Sequence, residues 1–220
     1  VLGNIKNNQL GEILNGVQLK NFRRKSIQGK LACMMSCSLV KKNLPVPVNL
    51  SIESNSHPKR LKILFSKACN IRCVMCRQNH TDGISLPFDT LLASSDLLSF
   101  QHIEIQGGEP LFQKDAKNLF KYAADNNIKA SFLTNGTLIT EEWAENIALN
   151  SDYINFSLNA ATAKTHEVIN KGSNWDKVLK NIQLVRQARE ELHTSLKIIG
   201  HFTVIPRNIE EIPLFIQKFK

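Results

Sequence analysis

Cys69-Asn70-Ile71-Arg72-Cys73-Val74-Met75-Cys76 places three thiols within eight residues, spaced Cys-x3-Cys-x2-Cys. The stretch follows a short apolar run, Leu61–Phe65, that reads as a strand. Three thiols this close cannot pair off as disulfides without leaving one over. A loop at this spacing can instead turn three sulfurs onto one soft metal centre. No cysteine follows Cys76, so a zinc site here needs another kind of fourth donor, and His80 is in reach along the chain. Three thiolates and a missing fourth also suit a 4Fe–4S cluster with one iron open to a ligand that is not protein.

Working outward, composition sets the bounds. The 220 residues, 42% of them hydrophobic, suffice for one substantial core and a small appendage. No apolar run approaches the roughly 20 residues of a membrane-spanning helix. The opening residues are polar and carry no apolar stretch of the secretory type, and they begin at Val1 rather than Met, as in a fragment or a processed piece. All five cysteines fall within Cys33–Cys76, which points to metal ligation in a reducing, cytoplasmic setting. The net charge of +9 is unevenly spread: residues 1–62 hold eleven Lys or Arg against only Glu12 and Glu53, and the remainder is balanced. Such a segment can hold an acidic partner or simply keep a face solvated. Only Phe22 interleaves an aromatic ring with these charges, which disfavours nucleic acid.

Strand and helix signals alternate after residue 60. Strands are expected at Leu61–Ser66, His102–Gln106, Lys129–Thr134, Tyr153–Leu158 and Leu196–Val204. Helices are expected at Pro87–Ser95, Asp115–Asn126, Thr140–Asn150, Thr162–Asn170, Trp175–Glu191 and Ile209–Phe219, with Thr140 and Asn208 as N-caps. Strands separated by helices predict βαβ units and a parallel sheet, curled by right-handed crossovers into an open barrel. Ligands of such sheets gather at the strands' C-terminal exits. The second exit is Gly107-Gly108-Glu109-Pro110. Its glycines let backbone approach a ligand closely, and Glu109 can accept hydrogen bonds from an ammonium group. The third exit is Thr134-Asn135-Gly136, and the fourth is Ser157-Leu158-Asn159.

These motifs together resemble the radical S-adenosylmethionine (radical SAM) superfamily, whose signature is Cys-x3-Cys-x2-Cys after the first strand of a partial barrel. The resemblance implies an α/β fold, a partial (β/α) parallel barrel truncated after about five of six strands, with a small helical N-terminal appendage. It implies that Cys69, Cys73 and Cys76 hold a 4Fe–4S cluster whose open iron takes S-adenosyl-L-methionine. It further implies that Gly107, Gly108, Glu109 and Pro110 hold the methionine amino group, and that Asn135 lies beside the nucleoside or substrate. Ser157 would lie near the carboxylate or ribose. Met75 stands where the family has an aromatic or other bulky residue near the adenine. Asn159 departs from the Asp common in the family. The family's reaction is reductive cleavage to a 5′-deoxyadenosyl radical that abstracts hydrogen from a substrate, with electrons from a partner such as flavodoxin or ferredoxin.

Residues 1–45 resemble the tail of a SPASM-type auxiliary cluster domain: Gly3-Asn4-Ile5, a short helix near Leu10–Leu14, a basic helix around Phe22-Arg23-Arg24, then Cys33 and Cys37. Cys33 and Cys37 are otherwise two half-buried thiols on one helical face. Residues 46–60 read as a linker and 61–220 as the core domain. The SPASM-like order implies a peptide or protein substrate, as in maturases. The competing expectations are a non-catalytic zinc- or iron–sulfur-binding module and an inactive fragment.

Overall fold

The computed structural model describes residues 3–30, 51–54, 58–78 and 85–219. Cys33, Cys37, His80 and the prolines at 45 and 47 lie outside the described residues. The chain contacts form two compact units, one of Val1–Pro58 with Asp89–Ser99 and one of Lys59–Phe88 with Phe100–Lys220.

In the first unit, α1 (Leu10–Leu14) and α2 (Val17–Ile27) follow a turn closed by the Asn7 N–H on the Asn4 carbonyl (2.9 Å). A capping box between Gln9 and Glu12 starts α1. The basic charge of α2 is partly used within the unit. Lys20 Nζ pairs with Glu53 at 2.7 Å, holding that carboxyl below its usual range. Arg23 Nη1 donates to the carbonyls of Leu14 (2.8 Å) and Ile52 (3.2 Å). Arg24 and Lys25, in the last turn of α2, are exposed.

The second unit is a five-stranded parallel sheet in the order β1-β3-β4-β5-β7. Its strands are β1 (Arg60–Leu64), β3 (His102–Gln106), β4 (Lys129–Thr134), β5 (Tyr153–Ser157) and β7 (Lys197–His201). Between them run α4 (Lys114–Asp125), α5 (Glu141–Asn150), α6 (Ala163–Ile169) and α7 (Trp175–Glu191); α8 (Ile212–Phe219) follows. A further helix, α3 (Phe88–Ser94), falls between β1 and β3 in the chain. This is the expected partial (β/α) parallel barrel. The elements form where local chemistry directs: Thr140 and Thr162 cap α5 and α6 through their hydroxyls, and Asn174 caps α7.

Alternation along the strands divides the sheet into two faces. Ile103, Ile105, Ala130, Phe132, Ile154 and Phe156 are buried. They share a face with Leu119 and Phe120 of α4, Ile147 of α5, and Val178 and Val185 of α7, all buried as well. Phe120 and Phe132 stack at 4.8 Å between ring centroids. The other face is polar: Glu104 pairs with Lys62 (2.9 Å) and accepts from the Tyr153 hydroxyl (3.0 Å).

The last strand departs from expectation. It ends at His201 rather than Val204, because the Thr203 N–H is taken by the Asn159 side chain (2.8 Å) and the chain leaves the ladder. Asn208 does not cap the following helix. Its amide instead donates to the carbonyls of Asn159 (2.9 Å) and Thr203 (2.8 Å). A two-stranded ladder that the residue pattern did not predict joins β2 (Arg72–Cys73) to β6 (Asn170–Lys171), antiparallel.

Candidate functional site

The loop after β1 carries the cysteines, and three sets of contacts shape it. The Ala68 carbonyl accepts from the Glu109 N–H (2.9 Å) and from Gln113 Nε2 (3.0 Å). Arg72 Nη1 donates back to the carbonyls of Cys69 (2.6 Å) and Ile71 (3.0 Å). Cys73 is a ladder partner of Asn170, and the Val74 N–H donates to the Ile169 carbonyl (2.8 Å). Together these bring Cys69, Cys73 and Cys76 to the wall of one cavity of about 230 Å³ at the strand exits. A larger cleft of about 620 Å³ lies in the other unit, lined by residues between Ile5 and Glu12 and between Asp89 and Ser94, and carries no thiol.

Burial pushes the Cys69 thiol up, and it pushes Cys73 up to about 12, helped by the neighbouring sulfurs of Cys69 and Cys76. Raised in this way, both thiols favour the protonated form, and a cationic centre that takes them as thiolates offsets that cost. Among the described residues, no three Cys, His, Asp or Glu side chains are grouped as ligands of a single metal ion. The three sulfurs instead border a shared space, which fits a cluster that takes each thiolate on a different iron.

The neighbouring exit is built around close approach. Gly108 has φ +56°, and a Cβ there would stand 2.0 Å from the Ala68 carbonyl oxygen. Its N–H donates to Gln78 Oε1 (2.9 Å), which ties the chain just after Cys76 to this exit. Gly107 and Gly108 both line the cavity, as do Asn135 and Ser157. Glu109, Pro110 and Met75 do not: Glu109 and Pro110 are buried and Met75 is half-buried.

Glu109 is fully buried, and its carboxylate accepts from Thr134 Oγ1 (2.8 Å), Asn135 N–H (2.7 Å) and Leu111 N–H (3.2 Å). Burial raises its pKa to about 7 from an ordinary 4.5, against the lowering effect of those three donors. The protonated form therefore stabilises the fold fully below pH 4.5, and that stability is lost as pH rises through about 7. The expected loss across this window is about 3 kcal/mol at roughly 1.4 kcal/mol per pKa unit. Glu109→Gln flattens that slope. Urea unfolding of the metal-free protein at pH 5 and pH 7.5 measures it, and an unchanged slope in the variant overturns the assignment.

Asn135 lies at the centre of the third exit. Its Nδ2 donates to Asn70 Oδ1 (2.9 Å) and lies 3.8 Å from Cys69 Sγ, while its Oδ1 accepts from Thr137 N–H (2.9 Å). Asn70 Nδ2 in turn donates to Thr137 Oγ1 (2.8 Å). Four polar residues with no role in the sequence reading therefore shape the site: Asn70, Gln78, Gln113 and Asn170. Gln113 donates to the carbonyls of both Ala68 and Gly107 (2.8 Å), so it joins the two loops. The one local signal was position, since Asn70 and Gln78 sit within two residues of a cysteine.

A model of the radical SAM superfamily matches residues 63–216. The chain is 27% identical over 181 residues to the GTP 3′,8-cyclase of Desulforamulus reducens, covering 74% of this chain and 55% of that protein. It is 26% identical over 171 residues to the AdoMet-dependent heme synthase of Methanosarcina barkeri, covering 73% and 47%. Among solved structures, Streptococcus suis SuiB bound to the precursor peptide SuiA matches with a TM-score of 0.56 at 19% identity, covering 99% of this chain and 54% of that one. Native anSMEcpe with bound AdoMet matches with a TM-score of 0.56 at 20% identity, covering 73% and 49%. At these identities the structural likeness shows the fold. The chain spans about half the length of these relatives.

Proposed function

Because this chain belongs to the radical SAM superfamily, we propose that it is the catalytic barrel of an enzyme that cleaves S-adenosylmethionine and abstracts hydrogen from a substrate. The observation that carries this reading is the meeting of Cys69, Cys73 and Cys76 with the Gly107-Gly108 exit on one cavity. No helix among the described residues is long and apolar enough to cross a membrane.

In this reading Cys69, Cys73 and Cys76 hold the 4Fe–4S cluster. When bound, the cluster and S-adenosylmethionine supply a 5′-deoxyadenosyl radical. The chain's own residues bind and orient. The Gly107-Gly108 backbone gives the close approach, and buried Glu109 provides negative charge under the floor, fixed by Thr134 and Asn135. A cation arriving above Glu109 favours its ionised form, offsetting the burial penalty on the carboxylate. Ser157 and Asn135 supply polar contacts along the wall. Met75 and Pro110 support the loops that bear the ligands.

The substrate class we favour is a peptide or protein. The SPASM-like order of residues 1–45 supports it, as does the fold likeness to SuiB, a protein solved with its precursor peptide. We assign residues 46–60 as linker, 61–220 as core, and a flavodoxin- or ferredoxin-like protein as reductant. Because Lys20 and Arg23 hold the first unit together, the charges available to an acidic peptide on α2 are Arg24 and Lys25. Arg24→Glu with Lys25→Glu weakens binding of an acidic peptide at low salt, whereas Lys20→Glu mainly lowers the stability of that unit. Titration calorimetry at two salt concentrations checks this, and unchanged affinity in the double variant removes the acidic-peptide reading. The test of the enzyme reading is anaerobic reconstitution with iron and sulfide, then S-adenosylmethionine and dithionite. Brown protein that releases 5′-deoxyadenosine is expected; colourless protein that releases none overturns it.

A further inference from the structure

Beyond the exits of β5 and β7, the polar side chains of Asn159, His166, Asn170 and Asn208 are almost wholly buried, each at most 3% exposed. Buried amides and imidazoles are costly unless their hydrogen bonds are made, and here nearly all are. Asn170 Nδ2 donates to the Leu158 carbonyl (3.0 Å), and Asn170 Oδ1 accepts from Asn159 Nδ2 (3.2 Å). Asn159, at φ +57°, receives the Thr203 N–H on its Oδ1 (2.8 Å). Asn208 Nδ2 donates to the Asn159 carbonyl (2.9 Å). His166 Nδ1 lies 2.8 Å from the Leu158 carbonyl and Nε2 lies 2.8 Å from Ser173 Oγ, so the neutral ring donates at Nδ1 and accepts at Nε2.

The network joins the exits of β5 and β7 to the backbone that is paired with Cys73. The Cys69 end of the loop is held from the other side, by Glu109 and Gln113 on the Ala68 carbonyl. Cys69 and Cys73 thus have separate anchors. From this we infer that Asn170 is a positioning residue: through its side-chain bonds to Leu158 and Asn159 it sets the place of Cys73 relative to the β5 and β7 exits. Cys73 is the thiol whose backbone is paired with Asn170 and so linked to the exits of β5 and β7. The inference takes its functional meaning from Cys73 as a cluster ligand, but it is tested without a cluster, so its failure leaves that assignment standing.

The experiment is alkylation of the full, metal-free, reduced chain by iodoacetamide, with each thiol followed by mass spectrometry. Asn170→Ala raises the Cys73 rate about tenfold, the factor expected when about one buried hydrogen bond no longer opposes opening, and leaves Cys69 unchanged. Asn159→Asp is a second variant that nearly preserves volume. It puts a carboxylate oxygen in place of the donor facing Asn170 Oδ1, and gives the same selective rise at Cys73. Leu119→Ala, a cavity in α4 away from the network, serves as the control for general destabilisation and lacks that selectivity. An equal rise at all thiols, or no rise at Cys73, overturns the inference. If Asn170→Ala does not fold, Asn159→Asp decides by the same two criteria.

Discussion

C69A/C73A/C76A, after the same anaerobic reconstitution, carries no brown chromophore and releases no 5′-deoxyadenosine above a protein-free control. The loss is complete rather than graded because the described residues contain no alternative donor set. No Cys, His, Asp or Glu trio among them is grouped for a single metal ion. Each single variant is expected to behave nearly as badly, since a cluster bound by two thiolates and water loses both affinity and potential control. The fold itself should survive. Cys69 and Cys73 are half-buried and Cys76 is exposed, so truncation to Ala removes little packing. Far-ultraviolet circular dichroism and iron content measured on the same sample separate the two effects. Full release of 5′-deoxyadenosine by the folded triple variant refutes the assignment.

Gly108→Ala is expected to be the most damaging single-methyl change in the barrel. The added Cβ meets the Ala68 carbonyl oxygen at 2.0 Å and Gln113 Nε2 at 2.8 Å, and the first of these is backbone. Overpacking of this kind costs about 1–3 kcal/mol. The left-handed φ of +56° adds about 1 kcal/mol for a residue with a Cβ. Relief requires Ala68 to withdraw, which breaks its bonds from the Glu109 N–H and Gln113 Nε2 and carries Cys69 away from the cavity. Gly107→Ala is the internal control. It shares the left-handed backbone, at φ +88°, but its Cβ meets a side chain, Leu64 at 2.8 Å, rather than a backbone carbonyl, so it isolates the Ala68 contact from the strain of φ. The expected result is a lower urea midpoint for both variants, with the larger drop and the under-filled iron confined to Gly108→Ala. Equal behaviour of the two variants counts against the role given to the Ala68 contact.

The three cysteines, the Gly-Gly-Glu-Pro turn and the barrel they imply were legible because each is a local pattern. Trp175–Glu191 was expected and observed with the same bounds, as were His102–Gln106 and Lys129–Thr134. Apolar period and a capping side chain act within four residues, so they are written into the order of the chain. Glu109 was legible as a carboxylate beside a glycine turn, but not as a buried one. Its burial depends on Thr134 and Asn135, about 25 positions further on.

The chain order by itself determined the alternating strands and helices, the strand exits and the Cys69, Cys73 and Cys76 spacing proposed to hold a cluster. Only the tertiary structure decided which partners hold those thiols in place. Gln113 bonds Ala68 across 45 positions, Asn135 bonds Asn70 across 65, and Cys73 pairs with Asn170 on a strand of two residues. A short polar side chain has no period to announce it, and what it touches is set by which strands the crossovers bring side by side.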